Sequence, residues 1–535
     1  MPVSRFATPR CSVRLYKSIM RKPGDAGLAV SQRYADKEAF IDLTPFLGDG
    51  SAINIGKDIR QPSGTFNITF ADRPNVSGQS MGPVLSTAGL ESVYGLVEPM
   101  DVVEIRMWSG IGKCPNPLPI KMRGFVTEIT RSRQVGSDGR PVRTVAISGQ
   151  DYGKVLQTYQ IVYLSNYPGA QALLTGFDFF EQFGGDARNT ISGGEYLGLI
   201  LKNVINPLLQ NLIPEHNGMP REIQLDAQAE GMLNNAYNHQ QGNVYDLLKS
   251  FLDIGIWNEL YIEDREDGVF LVWRPVPYYD LTTGDPTQKM KKPPRAATIQ
   301  DNFITSIRQS RKDEGVFNFF WCTNTSFDLM GDDFLQAQAM QTNLHHETLE
   351  YPNTAQKYYG IRTMYADSVM GPQDVTNMNT GLPADQQSER DGYMTQWVMD
   401  RRQVMVNNAK DNVVMEYGSL DMKGGPTRDN STDALKAGDY ITVLDGQLTW
   451  QAYVISVQDA YMPFRGYTTS LGFERGSGFA WRVSEVSGAS PWLKDQAERR
   501  DPINPPVSPD PRLMEDADYW SSQGNAYQDI IDKYL

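Results

Sequence analysis

Cysteine and histidine are both scarce in this chain of 535 residues, with three of the first and four of the second. Cys11, Cys114 and Cys322 lie far apart without metal-ligand spacing, which excludes a disulfide framework and suits a reducing compartment. His345 and His346, followed by Glu347, form the best metal candidate. Adjacent side chains point apart on a helix and to opposite faces of a strand, so one ion between the two rings is not expected. No apolar run approaches the ~20 residues of a membrane span. The opening Met-Pro-Val-Ser-Arg-Phe lacks the apolar centre of a signal peptide. The sequence holds no His-Glu-x-x-His, no Gly-x-Ser-x-Gly and no phosphate-cradling glycine loop. Gly110-Ile-Gly112 opens like a dinucleotide loop, but Pro115 follows where a helix would have to begin. The expectation is a chain made and kept in the cytoplasm, with no membrane anchor, metal or cofactor. Positive charge is also in deficit: 50 Lys and Arg against 64 Asp and Glu leave −14. That balance opposes general binding to nucleic acid, while an acidic wall would let DNA slide past without sticking.

What the chain does contain is a pattern of strand-like blocks that comes twice. Ile59-Arg60-Gln61, Gly64 and Thr65–Phe70 are answered by Ile307-Arg308-Gln309, Gly315 and Val316–Trp321. Asp101–Ile105 is answered by Asp439–Val443, Phe125–Ile129 by Tyr453–Val457, and Thr144–Ile147 by Thr468–Leu471. The loop Trp108–Pro119 has no counterpart in the second copy and accounts for most of the spacing difference. A duplicated β-domain offers quasi-equivalent surfaces, which suit a ring whose symmetry exceeds its number of chains. That points to an assembly part before an enzyme.

A chain of this length splits into several domains. Residues 1–155 read as strands, with Met122–Arg131 and Pro141–Ser148 as a hairpin around Gly136-Ser-Asp-Gly139. Residues 156–296 read as an α+β unit. Gly194–Leu212 sets Leu197, Ile200, Leu201, Val204, Ile205 and Leu208 at helical spacing, and Asn243 caps a second helix to Ile254. A hairpin follows, Leu260–Asp264 and Val269–Trp273. The second β-domain, 297–488, carries a helical insertion at about 330–411, including a helix from Glu389 to Lys410; the strand Asn412–Leu420 then returns the chain to the domain. Residues 489–535 are a proline-rich strap, with five prolines from Pro502 to Pro511, and a terminal segment. There Tyr519, Trp520, Tyr527, Ile530, Ile531, Tyr534 and Leu535 are too apolar for a free end, and too short a helix to be stable alone. They are read as a partner-docking segment. No residue is read as catalytic: Glu259, Glu263 and Glu266 lie close in sequence but around a hairpin, where solvated charges are ordinary. Phe317, Phe319, Phe320 and Trp321 lack interleaved basic residues and read as packing, not a base-stacking platform.

Several blocks resemble the baseplate hub proteins of contractile-tailed bacteriophages, a family that includes late control proteins and the hub portion of type VI secretion spikes. They are Leu43-Thr-Pro-Phe46, Lys57–Asp72, Met122–Ile129, Ile147–Gly153, Val244–Leu248 and Leu435–Val443, and the likeness covers roughly residues 40–480. The resemblance implies a mainly β fold with α+β insertions: two repeated tube-type β-barrel domains, an α+β domain between them and an extended C-terminal tail. It also implies a homotrimer around a channel, joining a sixfold tail tube or tube-initiator protein to a threefold central spike, with other baseplate proteins nearby and DNA in transit. The place of action would be the virion tail, assembled in the host cytoplasm. A spike needle would show short repeats, and none follow the second barrel, so the spike is expected to be another polypeptide. The competing reading is a tail-associated peptidoglycan hydrolase with its active domain at about 156–296, which would need a pair of carboxylates in a cleft.

Overall fold

In the computed structural model the described residues are 8–18, 40–72, 93–110, 114–135, 141–162, 190–215, 218–234, 241–281, 283–324, 351–372, 384–429, 431–445 and 448–480. Residues 1–477 form one compact unit and 478–535 a second. The fold is mainly β. Alternation of apolar and polar side chains sets the strands of the first repeat: β1 (Arg10–Tyr16), β2 (Ile41–Asp42), β3 (Ala52–Asp58), β4 (Thr65–Ala71), β5 (Val102–Trp108), β6 (Ile120–Val135) and β7 (Pro141–Asp151). Their inward residues, among them Val13, Leu15, Ile53, Phe66, Ile68, Phe70, Ile105, Met122 and Ile147, share one core, so the sheet curls around it.

Between the repeats lies the α+β unit. Ser192 caps the helix Gly193–Ile200 by accepting from the Glu195 N–H at 3.2 Å. The helical run continues through π turns at Leu201–Ile205 and the helix Asn206–Leu212. Pro207 has no N–H to return to the preceding turn, and the widened turns precede it. Asn243 caps Val244–Phe251 as expected, accepting from the Asp246 N–H at 2.8 Å. Short strands pair β8 (Gln160–Val162) with β12 (Gln241–Asn243) and β9 (Thr190–Ser192) with β11 (Met232–Asn234). β10 (Ile223–Ala227) joins the predicted hairpin of β13 (Asn258–Arg265) and β14 (Gly268–Pro275). That hairpin is buried on both faces. Leu260, Ile262, Val269, Leu271 and Trp273 point into the helical core, while Tyr261, Phe270 and Val272 point into the second barrel. A period of two explains how one ribbon serves two cores.

The second repeat contains β15 (Ala296–Gln300), β16 (Ile304–Ser310), β19 (Glu416–Lys423), β20 (Tyr440–Asp445), β21 (Leu448–Met462) and β22 (Gly466–Gly476). Both repeats join one 13-stranded sheet, ordered β16-β19-β22-β21-β3-β4-β7-β6-β5-β1-β2, with β20 on β21 and β15 on β20. Position by position, β16, β19, β22, β21 and β20 stand where β3, β4, β7, β6 and β5 stand in the first repeat. The expected matches of Asp101–Ile105, Phe125–Ile129 and Thr144–Ile147 with their later blocks agree with this order.

The first expected match does not. Phe319–Thr323 is β17, which pairs in parallel with β18 (Thr363–Asp367) outside the large sheet. The partner of β4 in the strand order is β19, and Ile307-Arg308-Gln309 aligns with Ile53-Asn54-Ile55, six residues before Ile59-Arg60-Gln61. Residues 311–415 therefore separate β16 from β19, where only Ile59–Gly64 separate β3 from β4. This excursion has its own core of Trp257, Phe320, Cys322, Val398, Met405, Val406 and Ala409, built on the helix Ala384–Ala409. Phe320 is thus core packing.

Candidate functional site at the seam between the repeats

Each repeat turns into its β5-type strand through the same corner. Met100 and Gly438 adopt positive φ, +74° and +92°. The next residue is a buried aspartate in both, Asp101 and Asp439. Asp101 accepts from the Glu98 N–H at 2.8 Å and from Lys17 Nζ at 2.6 Å. Asp439 accepts from the Lys436 N–H at 2.8 Å and from Arg428 at 2.9 Å through both Nε and Nη2. The backbone repeats too: Met100 and Val126 exchange bonds with each other and Asp101 as Gly438 and Val454 do with each other and Asp439, at 2.8–2.9 Å. The long strand beyond then bulges at the same place, between Val126 and Glu128 and between Val454 and Ser456. A buried carboxylate needs a cation and donors, and each corner supplies both. Burial pushes Asp101 up to about 6 against the pull of Lys17.

Past the bulge, β21 leaves β20 and pairs with β3 of the first repeat, Ser456 opposite Asp58 through Tyr461 opposite Ile53. The Ile59 N–H extends the ladder to the Ile455 carbonyl at 3.0 Å. This seam is backed by ion pairs from both repeats. Lys121 of β6 meets Asp459 of β21 at 3.0 Å, and Lys57 of β3 meets Asp151 at 2.8 Å and Asp264 of the hairpin at 3.8 Å.

Two of the three hairpin acids, Glu259 and Glu263, are buried, contrary to the sequence expectation, while Glu266 is exposed as expected. Glu259 is buried and accepts from Arg274 at 3.1 Å and the Tyr453 hydroxyl at 2.6 Å. Glu263 is buried among Arg265 at 2.8 Å, Arg428 at 2.9 Å and Lys436 at 3.7 Å. Burial favours its neutral form, but Lys436, Arg428 and Arg265 outweigh burial and hold the carboxyl well below the ordinary range. Glu266 caps the Ile120 N–H at 2.9 Å and pairs with Arg106 at 2.7 Å. Alternation alone missed this, because a ribbon buried on both faces places charged side chains inside; Arg265 and Arg274 lie on the hairpin itself, while Arg428 and Lys436 come from far along the chain. Chemically, these carboxylates lock the ribbon between the barrels.

The seam uses one edge of each repeat, and among the described residues no strand pairs with the counterpart edges. Among the described residues β16 pairs with β19 alone, and β6 beyond its bulge pairs with β7 alone. Ile307 of β16 is 42% exposed, whereas its counterpart Ile53 at the seam is 0% exposed. The β6 segment from Thr127 to Val135 is exposed at most positions.

The predicted docking residues Tyr519, Trp520, Tyr527, Ile530, Ile531, Tyr534 and Leu535 lie outside the described residues, as do His345, His346 and Glu347. Among the described residues no group of three or more His, Cys, Asp or Glu is placed to hold a metal ion, and no helix is long and apolar enough to cross a membrane. Gly110 has φ +82° and its would-be Cβ meets the Thr8 backbone at 2.5 Å, so it serves a close loop contact. Burial pushes the Cys322 thiol up to about 12 and the Cys11 thiol to about 11, which keeps both unreactive.

No protein-family model matches the sequence, and no curated protein matches it. Among solved structures, similar folds include a tail protein from Neisseria meningitidis, with 12% identity over 88% of this chain and 98% of that one, at a TM-score of 0.43. The 43 kDa tail protein of prophage MuSo2 from Shewanella oneidensis shares 11% identity over 87% of this chain and 96% of its own, at 0.40. An E. coli component of the type VI secretion system, described as structurally similar to the T4 bacteriophage tail proteins gp27 and gp5, shares 8% identity over 79% and 72%, at 0.32. The structural neighbours are therefore phage tail and type VI secretion proteins.

Proposed function

We propose that this chain is a structural baseplate hub of a phage-type contractile tail. As a non-enzymatic homotrimer it joins the sixfold tail tube, or a tube-initiator protein, to a separate threefold spike, and encloses part of the DNA passage. The observation that carries this reading is the doubled barrel with its seam. One chain presents two quasi-equivalent faces, so three chains offer six to a sixfold partner and three to a threefold one. The terminal segment Tyr519–Leu535 docks on a neighbouring baseplate or spike protein, and the lumen is acidic or neutral. Among the described residues of 156–296, the three hairpin acids weighed for the hydrolase reading, Glu259, Glu263 and Glu266, are each held by an arginine. The test is removal of this chain from the particle. Tubes and spikes then form but stay unjoined. Complete spiked tails without it would refute the proposal, and peptidoglycan clearing that depends on one of these carboxylates would establish the hydrolase instead.

A further inference from the structure

The seam inside the chain specifies a second seam between chains. The strand registers align Ile53 of β3 with Ile307 of β16, because Ile53 faces Ile68 and Ile307 faces Leu420, while Ile68 and Leu420 face Ile147 and Leu471 in turn. The same ladders align Val126 with Val454, each followed by its bulge. At the internal seam Asp58, Lys57, Gly56, Ile55, Asn54 and Ile53 face Ser456 through Tyr461. Their counterparts are Lys312 back to Ile307 on one side and Glu128 through Arg133 on the other. Those are the two strand edges that carry no strand among the described residues.

We propose that the β16 edge of one copy pairs antiparallel with the post-bulge β6 edge of a second copy, in the register of the internal seam. Lys312 then faces Glu128, Arg311 faces Ile129, Ser310 faces Thr130, Gln309 faces Arg131, Arg308 faces Ser132 and Ile307 faces Arg133. The inference rests on the ring reading above and adds the contact and its register. Three features of the chain support it. An unpaired edge is a template for another strand. Lys312 and Glu128 meet as opposite charges on directly facing positions, a favourable cross-strand pair. The contact uses two different patches, so it is head-to-tail and continues from copy to copy, as a ring requires and a twofold dimer does not.

Disulfide trapping tests the register. Facing Cα atoms in an antiparallel ladder lie about 4.5–5.5 Å apart, within disulfide reach, whereas positions two residues out of register lie about 7–8 Å apart. Two chains are made, S132C with R308C and R133C with I307C, so that either hydrogen-bonding parity is sampled. A third carries T130C with R308C, two residues out of register. The native Cys322 is buried and Cys11 and Cys114 are half-buried, so the unaltered chain is the background control. Mild oxidation of the assembled protein is expected to link the in-register chains into covalent multimers up to the closed ring. The out-of-register chain stays largely unlinked. A mixture of S132C chains with R308C chains stops at covalent dimers, and neither links to itself. A ring confirmed by light scattering whose in-register pairs fail to link, or whose out-of-register pair links instead, overturns the pairing and leaves the ring reading standing. A chain that stays monomeric even with its tail partners overturns both.

Discussion

The two repeats carry the same pair of residue types on opposite strands. In the first, Phe66 of β4 lies across from Gly149 of β7; in the second, Gly418 of β19 lies across from Phe473 of β22. A Cβ at Gly149 would sit 2.3 Å from the Phe66 ring, and one at Gly418 would sit 3.2 Å from the Phe473 ring. An aromatic ring laid over a bare backbone fills the same volume from either side of the ladder. The two repeats thus build the same packed shape with the ring and the glycine on exchanged strands. A second difference lies at the far edge. β15 runs parallel to β20, then a short 3-10 turn, Asp301–Phe303, leads into β16. β2 runs in the equivalent direction and leads through the turn Thr44–Phe46 to β3, but β1 is wedged between it and β5. The first repeat is therefore the same barrel with one strand added.

The ion pairs sharpen the contrast. Arg428 serves two buried carboxylates, Asp439 and Glu263, whereas Lys17 serves Asp101 with Glu98 at its edge. Arg428→Met should cost about 3–5 kcal/mol in chemical denaturation, since it takes the bidentate cation from buried Asp439 and one of several cations from Glu263. Lys17→Met should cost less, because Asp101 takes up a proton in mild acid. If the two variants cost the same at neutral and at mildly acid pH, the corners are not the distinct devices described here.

Glycine is the next point of comparison. A Cβ at Gly418 would meet the Arg308 carbonyl at 1.8 Å, and one at Gly149 would meet the Phe125 carbonyl at 2.3 Å. Both contacts are with backbone that cannot step aside, so each Gly→Ala should cost about 3 kcal/mol, read as a fall in melting temperature. A neutral outcome at either site would remove the ring-over-glycine account of that repeat.

The first corner and the hairpin acid Glu263 titrate in opposite senses, while burial raises Asp439 of the second corner as it raises Asp101. The Asp101 carboxyl is raised in the folded chain to about 6 from 3.8. Its contribution is fully present below the unfolded value and is lost as pH rises through about 6. Glu263 is lowered from 4.5, so its contribution is present above that value and is lost as pH falls below it. Asp101→Asn should remove a decline in stability between pH 3.8 and about 6, and Glu263→Gln should remove a decline below pH 4.5. Stability measured against pH for the three proteins checks both signs.

The smallest expected effect is at the positive-φ corner. Gly438→Ala should cost about 1–2 kcal/mol, from a left-handed backbone and a Cβ 2.9 Å from Arg274 and Tyr261. Met100→Gly should change stability by less than about 1 kcal/mol, relief of the same backbone strain offsetting lost packing.

Much of this fold was legible in the sequence, for physical reasons that can be named. The hairpin β6–β7, the capped helix after Asn243 and the Asp101 and Asp439 blocks were readable because turn, cap and corner each demand particular residue types. The β4 and β19 match was not, since Phe66 and Gly418 share a position without sharing chemistry, and the chance likeness of Val316–Trp321 to Thr65–Phe70 stood in its place. Nor was the burial of Glu259 and Glu263 readable: Arg274 faces Glu259 across the predicted hairpin, but Tyr453 and Arg428, which close over the acids, come from far along the chain. The seam itself joins residues about four hundred positions apart in the chain, which no local pattern records.

The account's central claim is that one chain supplies two equivalent faces of a closed ring. A cryo-electron microscopy reconstruction of the assembled protein, computed without imposed symmetry and viewed down the axis, tests it most directly. Six similar lobes repeating with threefold symmetry, two lobes to each chain, are the predicted result. A twofold ring, or a sixfold ring with one whole chain behind every lobe, would contradict it.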